Sequence, residues 1–361
     1  MKQVFTKRSA YGLALLVFSA SGVLLAANHT ISTVASTVPP NGDVNPYGVA
    51  IVPHTIGNLQ AGHILVSNFN NSANLQGTGT TIMDIAPDGT VSVFAQISAS
   101  NLPGACPGGI GLTTALVVLR AGWVIVGSLP TTDGTAATAQ AGCLLVLDSR
   151  GVVVETIAGG LINGPWDMAA RDLGNTASLF VTNVLNGTVA GNGALVDEGT
   201  VVRINIAATT TEAPVVQSIT TIGSGFPERT DPNALVIGPT GAGLSQDGTL
   251  YVADSLDNRI AAIPNAVNRL TTAGIGATLL SHSGLNDPLG LTVLGNNILT
   301  VNGNNGLLID VSTGGTVLAT GLLDTSGMPP GAGALFGLAE GAQGLYFVDD
   351  ATNTLDLLTT N

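Results

Sequence analysis

Three observations predict an all-β chain, a six-bladed β-propeller of four-stranded antiparallel blades with the last blade closed by the N-terminal strand. An apolar segment running into Asn- or Asp-rich residues recurs, in degenerate form, six times. Short strand-like runs surround each copy. The final unit is one strand short, while an unattached strand-like segment stands near the N-terminus.

The recurring segments are "HILVSNFNN" ending at Asn71, "WVIVGSLP" at Pro130, "LFVTNVLNG" at Gly187, "LYVADSLDN" at Asn258, "ILTVNGNN" at Asn305 and "LYFVDDATN" at Asn353. Their aligned valines, Val66, Val126, Val181, Val252, Val301 and Val348, are 60, 55, 71, 49 and 47 residues apart, the interval of propeller blades. In the first unit the four runs are "YGVAIVP", "HILVSN", "TIMDIAPDG" and "TVSVFAQI"; the fifth repeats the pattern with "LGLTVLG", "ILTVNG", "LLIDVSTGG" and "TVLATGLL". Period-two alternation broken by Asp-Gly and Gly-Gly turns specifies an antiparallel meander. The sixth unit stops after "ALFGLAEG", "LYFVDDATN" and "TLDLLTTN"; "ISTVAST", Ile31 to Thr37, can supply its missing edge. Closing the ring in this way leaves no unpaired strand edge.

Residues 1–27 read as an export signal, leaving a single domain over 28–361. Lys2, Lys7 and Arg8 precede an apolar run from Tyr11 to Leu25, and Ala26-Ala27 offers small residues for cleavage. No later stretch approaches the ~20 apolar residues that span a bilayer, so no membrane insertion is expected after cleavage. A secreted or periplasmic location follows. The cleaved chain would carry seven arginines and no lysine against 23 Asp plus Glu, a net charge of −16. That charge repels phosphate backbones and anionic lipid, and the missing lysine excludes Schiff-base chemistry. Cys106 and Cys143 are the two cysteines. In an oxidising compartment a bond is favoured over two free thiols, and both fall on one face of the second blade.

"LYVADSLDNRIAAI", residues 250–263, resembles the NHL repeat: an apolar strand, Ala-Asp, a short Asn-containing turn and Arg-Ile. The six-unit layout is similar to that of NHL proteins and of gluconolactonase-like and strictosidine-synthase-like propellers. The resemblance implies a channel lined by the first strand of each blade. Its mouth carries the turns between second and third strands and the segments that precede the first strands.

On that placement "NPYG", "NGPWD", "DPNA" and "NDPLG" put Asn45, Asn163, Asp167, Asp231, Asn233 and Asp287 around the mouth. Such oxygen ligands suit calcium or a similar divalent cation. The gluconolactonase resemblance makes Asn233 the best counterpart of a metal ligand, then Asp287, with Asn163 completing the set. The first blade departs from that family, having Asn45 and Tyr47 where it places a glutamate. Asn and Asp before proline also start turns by bonding their own backbone, so both uses stay open. His282, in "SHSGLNDP", precedes a first strand on the same face and is the candidate general base of a lactone or ester hydrolase. Tyr47, Trp166 and Phe336 can dock a ring or belong to the core.

The turns after the second strands are long in blades one to three and short in four to six. A wall beside the mouth is expected, with a cleft containing Asn68, Asn183, Asn233, Asp254, Asp287 and Asp350. Asp254 and Asp257 with Arg259 are read as turn-holding residues. The function that follows is binding of a small molecule or protein partner at the mouth; the alternative is a metal-assisted lactonase-like hydrolase.

Overall fold

A computed structural model describes residues 29–360; the expected export signal lies outside the described residues. Six antiparallel sheets form the six blades of an all-β propeller. The inner strands are Val44–Ile51, Leu112–Val118, Pro165–Asp172, Pro239–Leu244, Pro288–Leu294 and Leu335–Gly341, each touching the next around a closed ring. In blade one the chain continues outward through Ile64–Asn70, Thr81–Ile85 and Val91–Gln96. The N-terminal strand His29–Ser36 forms the outer edge of blade six, pairing antiparallel with Thr354–Thr360 from His29 opposite Thr360 to Ser36 opposite Thr354. The two ends of the described chain thus latch one sheet.

Burial explains why the middle strands are nearly uninterrupted apolar runs. Each blade is covered on both faces by its neighbours, so every residue of Ile64–Asn70, Val124–Ser128 and Cys143–Leu147 is buried. Blades one and two share a layer of Leu65, Ile82, Val124, Val126 and Leu145. Outer strands are more open: in Val91–Gln96 only Phe94 and Ala95 are buried. Around the axis the inner strands meet backbone to backbone: a Cβ on Gly290 would lie 1.7 Å from the carbonyl oxygen of Phe336, and one on Gly337 2.2 Å from that of Tyr47. Glycine at these points lets the ring close.

Blade three departs from the expected plan. Its outer strand runs for 17 residues, Val215–Asp231, and folds back as Leu235–Ile237, making a sheet of five strands. "DPNA", expected as the lead-in to blade four, is the tip of this hairpin. The expected long turn after Asn183 contains a one-turn helix, Thr188–Gly191, and then the start of strand Val196–Ala207. Pairing beyond the blade's core, Gly199 opposite Phe226 and Val196 opposite Glu228, carries both strands over the mouth. Cys106 and Cys143 are disulfide-bonded with Cα atoms 5.2 Å apart, as expected. No helix among the described residues is long and apolar enough to cross a membrane.

Candidate functional site at the channel mouth

A cavity of about 600 Å³ opens where the first strands begin. Its floor is aromatic. Tyr47 is stacked against Phe336 with ring centroids 4.0 Å apart and against Phe69 at 4.5 Å, and Trp166 leans in at 6.4 Å. Tyr47, Trp166 and Phe336 occupy one repeated position, immediately before the close-packed site on each inner strand that holds Gly48, Asp167 and Gly337. The three rings therefore meet on the axis, and each is both core and cavity lining.

The extended hairpin of blade three makes one wall. Asp231 Oδ1 accepts the backbone N–H of Asn233 at 2.8 Å and of Ala234 at 3.2 Å, closing the turn. Asp231 Oδ2 pairs with Arg229 Nη1 at 2.8 Å. Gln76, from the long turn of blade one, donates its Nε2 to the Asn233 carbonyl at 3.0 Å. Leu235 holds a left-handed φ of 62° while only 2% exposed, a conformation that ordinarily falls to glycine. Its side chain packs with Val184, Leu185 and Val236, and this burial offsets a strain of roughly 1–3 kcal/mol. The hairpin tip is therefore fixed before any ligand arrives.

The opposite side is made of short turns and carries two carboxyls that no donor among the described residues satisfies. Asp287 is held by its backbone: its N–H donates to Asn258 Oδ1 at 2.6 Å, and its carbonyl accepts from Gly303 at 2.7 Å. A Cβ on Gly303 would lie 2.9 Å from Asp287 Oδ2, so the glycine makes room for the carboxyl. Burial raises Asp287 to about 6; Asp231 adds to the rise and Arg229 opposes it. Asp350 is raised to about 7 by burial and then by Asp349. Burial, with the charge of Asp350 next, also pushes the Tyr47 hydroxyl well above the usual phenol range. Asn45 Oδ1, Asn70 Oδ1 and Gln76 Oε1 face this region buried and without partners.

Of the expected site residues, Tyr47, Trp166, Asn233, Asp287 and Asp350 line the cavity. Asn68, Asn183 and Asp254 lie beneath it at the buried ends of second strands. Asn68 donates to the Thr37 carbonyl, Asn183 Oδ1 accepts from the Asn163 N–H, and Asp254 pairs with Arg259 at 2.8 Å. Asn68 and Asn183 hold the chain as it crosses between blades, and Asp254 holds the strands of its own blade. The side chain of Asn163 is turned into its own blade, donating to the Leu185 carbonyl and Asn186 Oδ1. Asp167 sits lower in the channel and accepts the N–H groups of Ala242 and Met168. His282 is exposed on the link from the outer strand of blade four to blade five and does not line the cavity.

These positions do not fit the expected divalent cation. Among the described residues no three His, Cys, Asp or Glu side chains converge on a point. Asn163 is committed elsewhere, and the charge beside Asp231 and Asp287 is the guanidinium of Arg229. Arg229 is the cavity-lining residue that sequence reading missed; its signal was "PERTDPN", an arginine two residues before the hairpin aspartate in a chain with few cations.

The expected long turns of blades one to three do form a contiguous structure on this face. Thr131 of blade two bonds Gly77 and Gln76 of blade one, and Ala136 packs in the same cluster as Val189 of blade three. Only the blade-one turn and the hairpin reach the cavity itself; the other two turns brace them.

No family model and no curated protein sequence matches the chain. Solved structures do. A gluconolactonase from Xanthomonas campestris is 15% identical with a TM-score of 0.55, over 94% of this chain and 92% of its own. Virginiamycin B lyase from Staphylococcus aureus, solved with quinupristin, is 12% identical with a TM-score of 0.52, over 92% and 100%. Regucalcin from Agrobacterium tumefaciens, a calcium-binding protein, is 14% identical with a TM-score of 0.55, over 90% and 94%. At these identities the likeness is one of fold, and it assigns this chain the architecture of a six-bladed propeller.

Proposed function

We propose that this is an exported NHL-type propeller whose channel mouth binds a small, neutral, hydroxyl-rich molecule. One observation carries the reading: the buried side-chain atoms of the mouth left without a partner are all acceptors. Asn45 Oδ1, Asn70 Oδ1, Gln76 Oε1 and the carboxyls of Asp287 and Asp350 call for a ligand rich in O–H donors. The carboxyls disfavour an anion, and the aromatic floor suits a ring. The recess favours a small molecule over the protein partner also expected. Export is supported by the basic-then-apolar N-terminal sequence and by the disulfide.

A second reading, hydrolysis of a lactone-like ring, draws on Asp350. A carboxyl raised to about 7 has the basicity to take a proton from water near neutrality. The gluconolactonase and regucalcin likenesses support this reading.

Trp166 fluorescence and thermal shift test the binding reading, using 1,5-anhydroglucitol and related neutral rings at pH 7. Saturable binding is expected, weakened at least tenfold by Asp350→Asn and by Gly303→Ala, which crowds Asp287. Absence of binding across the set, or binding indifferent to both substitutions, refutes it.

A further inference from the structure

We infer that Arg229 is the working cation of the mouth, taking a carbonyl oxygen of the ligand in the place where a metal-dependent site would hold a metal ion. This rests on the binding reading above and assigns the orientation of the ligand.

The geometry of one side chain motivates it. Arg229 Nη1 is paired with Asp231 Oδ2 at 2.8 Å and reaches the Thr230 carbonyl at 3.5 Å. Its Nε and Nη2 have no protein acceptor among the described residues, although the side chain is only 33% exposed and lines the cavity. Arg259 spends the donors of all three guanidinium nitrogens inside the scaffold, and Arg203, whose Nε is left unpaired, lies away from the cavity. Arg259, 5% exposed, bonds Asp254, Thr278 Oγ1 and the Ile275 carbonyl, and Arg203 bonds the carbonyls of Ala266 and Val267.

Asp231 cannot serve as a free ligand group. One oxygen closes the hairpin turn and the other orients Arg229. The mouth is thus divided: one cationic donor, Arg229, on the hairpin, and acceptors, Asp287, Asp350 and Asn45, around it. A guanidinium is planar, permanently charged and weakly hydrated, so it can polarise a carbonyl oxygen without requiring a third oxygen ligand. A neutral hydroxylated ring bearing one carbonyl matches this division. Its hydroxyls donate to the acceptors and its carbonyl accepts from Arg229.

Paired ligands test the inference. Gluconolactam carries the ring carbonyl, whereas 1,5-anhydroglucitol has a similar hydroxylated ring without it. Both are titrated calorimetrically into the full-length protein with EDTA present, and calcium is titrated separately in its absence. Gluconolactam is expected to bind in EDTA, at least tenfold more weakly to Arg229→Gln, with partial recovery in Arg229→Lys. Anhydroglucitol affinity should be unchanged in both variants, which also shows that the variants are folded. Equal gluconolactam affinity in Arg229→Gln and the parent overturns the inference and leaves the binding reading standing. So does gluconolactam binding that EDTA abolishes and calcium restores. Failure of both rings to bind the parent overturns the two together.

Discussion

Two Asp–Arg pairs in this propeller have the same contact distance and opposite surroundings. Asp254 and Arg259 meet at 2.8 Å in blade four, with side chains 0% and 5% exposed; Asp231 and Arg229 meet at 2.8 Å on the hairpin, 14% and 33% exposed. In the first pair the guanidinium also binds Thr278 and Ile275 and lies 5.9 Å from the ring of Phe226. Asp257 stands 3.7 Å away, half exposed. The pair ties the second, third and outer strands of one blade together. In the second pair the aspartate closes a turn and the arginine keeps two nitrogens free. Residue type and pair distance do not separate scaffold from site; unspent guanidinium donors facing a cavity do.

The largest expected difference between the pairs is in stability. Arg259→Ala leaves Asp254 buried with no counter-charge and should cost about 3–5 kcal/mol. Arg229→Ala opens a half-solvated pair and should cost less than about 1 kcal/mol. Urea unfolding of the two variants measures this directly. Similar losses would show that the hairpin pair is as much a part of the scaffold as the NHL-like turn.

The same distinction explains what the sequence made legible. Blade number, the N-terminal latch and the disulfide follow from repeat spacing, alternation and the positions of Cys106 and Cys143, all of which are local or periodic signals. The burial of Asn68, Asn183 and Asp254 was not visible. Each sits at the end of a second strand opposite a proline of the inner strand, and every inner strand carries a bulge just beyond that point. Bulges shift which face a side chain takes, and alternation counted along the sequence cannot register them. The hairpin was missed for a related reason: "TDPNA" reads equally as a turn before a strand or within one. Long-range pairing of Val196 with Glu228 and of Gly199 with Phe226 decided between them.

The disulfide sharpens the comparison at the next scale of effect. It links the lead-in of blade two to the start of its third strand across 37 residues, and Cys143 is fully buried. Neither cysteine lines the cavity. Replacing both by serine should cost roughly 2–4 kcal/mol on loop-closure grounds. The affinity of the mouth for 1,5-anhydroglucitol, read by Trp166 fluorescence, should stay within twofold. A parallel loss of affinity would mean that the mouth depends on scaffold stability as a whole.

The smallest effect concerns the sign of a carboxyl's contribution. Asp350 is raised from 3.8 to about 7 by burial, then by Asp349, with no donor to stabilise its charge. Between these values the unfolded chain has released its proton while the folded protein retains it, so ionisation favours unfolding as pH rises. Stability associated with Asp350 is therefore complete below about pH 4 and lost as pH rises through about 7. Asp133 and Asp247 behave oppositely: hydrogen bonds in their turns lower them, and their contribution is lost only as pH falls below the ordinary carboxyl range. Asp350→Asn should consequently leave unfolding at pH 4.5 unchanged and raise stability at pH 8 by on the order of 1 kcal/mol, a modest figure because solvent at the mouth screens the charge. The same substitution should weaken ligand binding. A gain in stability with a loss of affinity is what a carboxyl retained for a ligand requires. If Asp350→Asn instead destabilises the protein at pH 8, Asp350 belongs with Asp254 in the scaffold and the division between the two regions moves accordingly.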